Sequence, residues 1–164
     1  MALNDWMLDL QCLDFPVVRH VIYVIGITCD RKFIPFYVGE TSRNVAGRIG
    51  DYLSAQFNAP TDFKVGMAIR YFRSKDCQIK VCFVEASKER KERRVKESEW
   101  KIKAAKMCPR LLNDYPSHKY EADLQPDVRQ RKIAEQKRRI RAWAKRFLSD
   151  TGTLTRADKT SPAG

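Results

Sequence analysis

Val21-Ile22-Tyr23-Val24-Ile25-Gly26-Ile27 and, after a polar turn from Thr28 to Lys32, Ile34-Pro35-Phe36-Tyr37-Val38-Gly39 form the stretch that decides the fold. Both runs are rich in β-branched and aromatic residues, which suit a pleated, half-buried surface. Their short polar separation predicts an antiparallel hairpin. A third strand follows from the alternation of Cys77, Ile79, Val81 and Phe83. Between the second and third strands the period changes. From Arg43 to Phe57 the apolar positions Val45, Ile49, Tyr52 or Leu53, and Phe57 recur every three to four residues, which predicts a helix capped by Thr41 or Ser42. A second helix starts at Thr61-Asp62 and carries Val65, Ile69 and Phe72. Ser87 can cap a long charged helix that ends near Met107, before Pro109. The predicted fold class is α+β, a small three-stranded, mainly antiparallel sheet flanked by helices.

Working outward, residues 1–19 carry Trp6, Leu10 and Leu13 at helical spacing and end at Phe15-Pro16, which predicts a short helical lead. The main domain then covers residues 20–114. Residues 115–148 comprise a connector and a basic helix, which begins after Pro126 and places Ile133, Ile140, Trp143 or Ala144, and Phe147 on one face. Residues 149–164 are small, polar and charge-balanced, a composition that predicts disorder.

The chain has 164 residues with 43% hydrophobic content, enough for a core, and a net charge of +12 with a pI near 9.7. Such a surplus suits a polyanion, nucleic acid first and an anionic membrane surface second. Residues 128–148 hold nine Lys/Arg against one Glu, about two thirds of the net charge. No apolar stretch approaches the roughly 20 residues that span a bilayer, and Asp5 and Asp9 stand where a signal peptide is basic, so a cytoplasmic protein is expected. Five cysteines without CxxC spacing and two histidines, His20 and His118, support neither a disulfide framework nor a zinc site.

An ordered set stands out against this background: Tyr23 in the first strand, Tyr37 before Gly39 in the second, Arg48 in the following helix, Glu97 in a later helix, and Asn113 after Pro109-Arg110-Leu111-Leu112. Together these residues resemble the GIY-YIG nuclease superfamily, with Val21-Ile22-Tyr23 as the first motif and Tyr37-Val38-Gly39 as the second. Glu40 to Arg48 follow, the helix continues to Tyr52, and Glu97-Ser98-Glu99-Trp100 supplies the later block. The resemblance covers residues 20–114. Val21 replaces a glycine of the name motif, and the Glu40 carboxylate would repel a phosphate unless a cation such as Arg43 compensates.

The resemblance implies a metal-dependent endonuclease acting on DNA with structure-selective or weak sequence specificity. Phosphodiester hydrolysis needs charge neutralisation on the non-bridging oxygens, a deprotonated water and a stabilised leaving alkoxide. Arg48 suits the first need, because a guanidinium is always charged and grips phosphate with a planar fork. Glu97 offers a hard oxygen for one Mg²⁺, or Mn²⁺ in its place, an ion that keeps several waters and needs few protein ligands. Tyr23 is assigned as base or water-orienting group with Tyr37 as its partner. Gly39, Tyr52 and Asn113 support them, Asn113 by tying backbone together.

Other readings stand beside these. Each tyrosine alone reads as a half-buried strand residue, Arg48 alone as a surface charge, and Glu97 as an ion-pair partner of Lys101 at i+4. The basic helix reads equally as a docking helix or as a nucleic-acid clamp through Arg131, Lys132, Arg138 and Arg139. Its apolar row must pack on the core, on a second subunit as a homodimer, or on a membrane, the last with no other signal to support it. A non-catalytic nucleic-acid-binding module on the same fold and an RNA nuclease or toxin are the alternatives to a DNA endonuclease.

Overall fold

The computed structural model describes residues 21–29, 31–42, 45–86, 89–108 and 110–152. The expected N-terminal helix, His20, Arg43 and residues 153–164 lie outside them. Strand β1 (Val21–Cys29) pairs antiparallel with both β2 (Lys32–Thr41) and β3 (Gln78–Ala86), in the order β2-β1-β3. The hairpin is tighter than its polar sequence suggested. Cys29 faces Lys32, and Arg31 takes a φ of 64°, the left-handed conformation that two-residue hairpin turns require. Helices α1 (Val45–Ser54) and α2 (Pro60–Ser74) separate β2 from β3, and α3 (Arg90–Met107) follows β3. A 3₁₀ turn over Leu112–Asp114 leads through an irregular connector to α4 (Pro126–Asp150). Proline at the first helical position starts both α2 and α4, where its missing N–H costs nothing. The α+β class and the three-stranded antiparallel sheet are those the sequence predicts.

Period-2 alternation along β1 divides the core between the two faces of the sheet. Tyr23, Ile25 and Ile27 face the larger cluster, formed with α1, α2 and α4, whereas Ile22 and Val24 join Val38, Ala104 and Leu111 in a smaller one beneath α3. A bulge modifies this pattern in β2. The register passes from Ile25 opposite Tyr37 to Gly26 opposite Pro35, which leaves Phe36 without a partner on β1. Consecutive residues Phe36 and Tyr37 therefore both enter the larger cluster. Phe36 turns toward Phe72 and Phe147, with ring centroids 5.0 and 6.2 Å away, and Tyr37 turns toward Tyr52.

Two sequence-based boundaries change. Helix α4 is part of the same core as the sheet, since Ile140, Trp143, Ala144 and Phe147 are buried in the larger cluster. The core therefore runs past residue 114 into this helix. Its apolar row is used within the chain, so a homodimer through that row would have to displace the chain's own core. The helix also continues to Asp150, with Thr151 capping it through hydrogen bonds to Phe147 and Leu148, where a disordered tail was expected from residue 149. Among the described residues no helix is long and apolar enough to cross a membrane.

Candidate active site

Tyr23 and Gly39 are cross-strand neighbours, and the missing side chain of Gly39 is what lets the phenol cross β2. A Cβ on Gly39 would lie 2.5 Å from both Cζ and Oη of Tyr23, inside any tolerable contact. The Tyr23 hydroxyl forms a hydrogen bond with that of Tyr52 on α1. Tyr52 is itself fixed by close helix packing, because the backbone of Gly66 on α2 approaches the Tyr52 carbonyl too closely for any Cβ. Tyr37 completes the group edge-on to Tyr52, with centroids 5.9 Å apart. Three tyrosines from β1, β2 and α1 thus share one buried cluster, with Tyr23 and Tyr52 almost wholly enclosed and Tyr37 7% exposed. Burial is the main reason all three phenols ionise well above the ordinary tyrosine value.

Arg48 closes the cluster toward solvent. It precedes Tyr52 by one helical turn, and its guanidinium carbon stands 4.5 Å from the centre of the Tyr52 ring. Both terminal nitrogens donate to Asp62 in the first turn of α2, at 2.9 and 2.8 Å, and Asp51 lies 3.8 Å away. Partial burial works against the charge on Arg48, but the Asp62 fork, followed by the phenols of Tyr52 and Tyr23, more than offsets it and raises the pKa. In return the guanidinium lowers the phenol pKa values of Tyr23 and Tyr37, against the larger effect of burial. The side chain remains 22% exposed.

Glu97 projects from α3 with its side chain 20% exposed, and it is paired with Lys101 at 3.1 Å. Its charge reaches Tyr37, where it adds to the rise of that phenol. Glu99, two residues on, faces solvent, while Ala104 is buried and Trp100 lies against the smaller cluster. Trp100 sets this rotation: its indole N–H donates to Glu85 on β3 at 2.9 Å, and Lys103 covers the ring at 4.4 Å. Glu40 forms an ion pair with the buried Arg93 of α3, so the compensating cation comes from the helix that covers this face of the sheet. Asn113 acts as a short strand against the free edge of β2. Its side chain accepts from the Val38 N–H at 2.9 Å and donates to the Val38 carbonyl at 2.8 Å, holding the residue after Tyr37.

Sequence reasoning missed Asp62 and Arg93. Asp62 was legible only as a helix-start residue, and no local pattern reveals that it meets an arginine fourteen positions earlier. Of the cations assigned to nucleic acid on α4, Arg131 pairs with Asp127, Lys132 with Glu121, and Arg139 with Glu135, all at the surface. Such exposed pairs are worth roughly 0–1 kcal/mol and yield readily to a phosphate.

Among the described residues no group of three or more His, Cys, Asp or Glu side chains is placed to hold a metal ion. Glu97 fits a different demand, as one solvent-accessible carboxylate with hard oxygens of the kind Mg²⁺ accepts while keeping most of its waters. Comparison with protein-family models, with curated proteins and with solved structures finds no match to this chain.

Proposed function

We propose that this protein is a metal-dependent endonuclease that hydrolyses phosphodiester bonds in DNA, of the GIY-YIG type its motifs resemble. One observation carries the reading: Tyr23, Tyr37, Arg48 and Tyr52, drawn from three elements, meet in one cluster whose solvent side is an arginine fork. The Arg48 charge is partly desolvated, so it acts on a phosphate more strongly than a fully hydrated cation would. Asp62 holds the fork in one orientation until a phosphate shares it. Of the two roles open to Tyr23, the enclosure of its hydroxyl and the raised phenol pKa support orienting the site over removing a proton. Tyr37, the least enclosed of the three, donates its O–H to Tyr52 and is then the phenol whose oxygen accepts a hydrogen bond from the reacting water. Glu97 would hold Mg²⁺ or Mn²⁺, which when bound supplies a water of lowered pKa and charge for the leaving oxygen.

A second reading, a nucleic-acid-binding module without catalysis, is favoured by the fact that Arg48 and Glu97 each already have a partner within the chain. Incubating the purified protein with end-labelled single-stranded, duplex and flap DNA, and with RNA, in Mg²⁺, Mn²⁺ or EDTA separates the two. The endonuclease reading predicts DNA cleavage that needs the metal. Binding without cleavage in any condition assigns the module instead, and cleavage confined to RNA makes the enzyme a ribonuclease.

A further inference from the structure

A groove of about 310 Å³ opens between α2 and α4, at the end of α1. Phe63 forms its buried floor, and Met67 and Ile133, both partly buried, line its walls. Arg70, Arg129 and Lys137 stand at the rim, and no carboxylate lines the groove. The spacing of the α4 residues explains the arrangement, since positions 129, 133 and 137 recur every four residues along one helical face. Neighbouring cations Arg131 and Arg139 are neutralised by Asp127 and Glu135. Arg129 and Lys137 make no ion pair among the described residues. Arg70 is anchored by a hydrogen bond to the Leu53 carbonyl, which fixes the position of its charge.

Resting on the proposed nuclease function, we infer that this groove binds one unpaired nucleotide of the substrate strand, with its phosphates on Arg70, Arg129 and Lys137 and its base against Met67 and Ile133. The combination of surfaces selects this occupant. A duplex keeps its base faces stacked inside and offers an apolar floor nothing, whereas a single strand presents both a charged backbone and an apolar base face. The volume is at the small end of ligand sites, the scale of a single nucleotide unit. Arg48 and Ser54 are both on α1, about 9 Å apart along the axis at the helical rise per residue. That span is at most about three nucleotides, the number reached when the strand stays stacked as in a duplex. The groove would therefore hold the strand a few nucleotides from the bond being cut and give the enzyme a preference for single-stranded or branched DNA.

Fluorescence anisotropy in EDTA, with labelled single-stranded and duplex oligonucleotides of equal length, tests this without requiring cleavage. Replacing both rim cations in Arg129→Gln/Lys137→Gln should weaken single-strand binding about tenfold or more and reduce the slope of log affinity against log salt by about 1.4, two lost phosphate contacts. Duplex binding should change far less. Ile133→Gln should weaken single-strand binding while leaving the salt slope unchanged, and thermal melts of both variants verify that they are folded. Equal losses for single strand and duplex, or no loss for either, would overturn the groove assignment while metal-dependent cleavage left the nuclease reading standing. Competition by polyglutamate as effective as by the oligonucleotide would assign the groove to acidic protein segments and overturn it too. A wild-type protein that binds no nucleic acid would remove both the groove assignment and the function on which it rests.

Discussion

Glu97 and Glu99 lie two residues apart on α3, and at about 100° per residue their side chains point some 200° apart, so only one can face the site. The Trp100 indole bonded to Glu85 fixes that choice by tying the helix to β3, which leaves Glu97 within electrostatic reach of Tyr37 and Glu99 in solvent. Glu97→Gln is expected to abolish Mg²⁺-dependent cleavage with DNA binding in EDTA intact, and Glu99→Gln to be nearly silent. A cleavage time course on both variants checks it, and the reverse pattern would place the metal on the other carboxylate. Asp62 makes a separate demand. It orients Arg48 through two hydrogen bonds, yet its charge opposes an incoming phosphate. Asp62→Asn should therefore slow cleavage by roughly ten- to a hundredfold, the cost of a misplaced catalytic group, without weakening DNA binding. A variant that cleaves at the wild-type rate would show that the fork needs no such support.

At the scale of the elements, α4 does two jobs that its sequence alone does not separate. None of its nine Lys/Arg side chains is buried, whereas the inner face closes the core, with the Phe147 ring 5.4 Å from Phe72 and 5.3 Å from Trp143. Phe147→Ala should cost about 3–5 kcal/mol in chemical denaturation, the usual range for deleting a buried aromatic. Removal of the chain from residue 126 onward should leave no cooperative unfolding transition, since total stabilities are only about 5–15 kcal/mol. A truncated chain that still melted cooperatively would show that the sheet and α1 to α3 hold a core without α4. The connector before α4 is held by partly buried polar contacts. The Lys64 ammonium donates to the Tyr115 carbonyl at 2.6 Å, and the His118 ring stacks on Phe57 at 3.8 Å with Nε2 donating to the Phe57 carbonyl at 2.5 Å. Burial lowers the His118 pKa below its ordinary 6.5, partly offset by that carbonyl. The folded protein thus favours the neutral ring, and the unfolded chain binds the extra proton first. The resulting stability is complete above about pH 6.5 and declines as the pH falls below it toward the folded pKa. The melting temperature should accordingly fall between pH 7.5 and 5.5, and His118→Gln should flatten that fall; an equally steep profile in the variant would assign it to other groups.

For the whole molecule, strands and helices were legible in the sequence wherever one apolar period persisted, as in β1 and α2. Their partners were less so. Periodicity shows that Ile140 and Phe147 share a face, but not that Phe36 and Phe72 cover it, because the bulge that turns Phe36 toward α4 leaves no mark in the alternation of β2. The candidate site divides in the same way. Tyr23, Tyr37, Arg48, Glu97 and Asn113 stood out by order and spacing, whereas the Arg48–Asp62 and Glu40–Arg93 pairs arise only when separate elements pack. With a net charge of +12, the protein should bind DNA at low salt whatever its active site does, so affinity cannot test the catalytic claim. The cleavage rate can. Single-turnover cleavage of labelled DNA in Mg²⁺ by the wild type and by Arg48→Ala is the most direct measurement. The arginine-capped tyrosine cluster predicts a loss of more than ~10²-fold in rate with binding weakened only a few-fold, the scale of removing a main transition-state charge partner. Equal rates for the two proteins, or no cleavage by the wild type on any substrate, would contradict it.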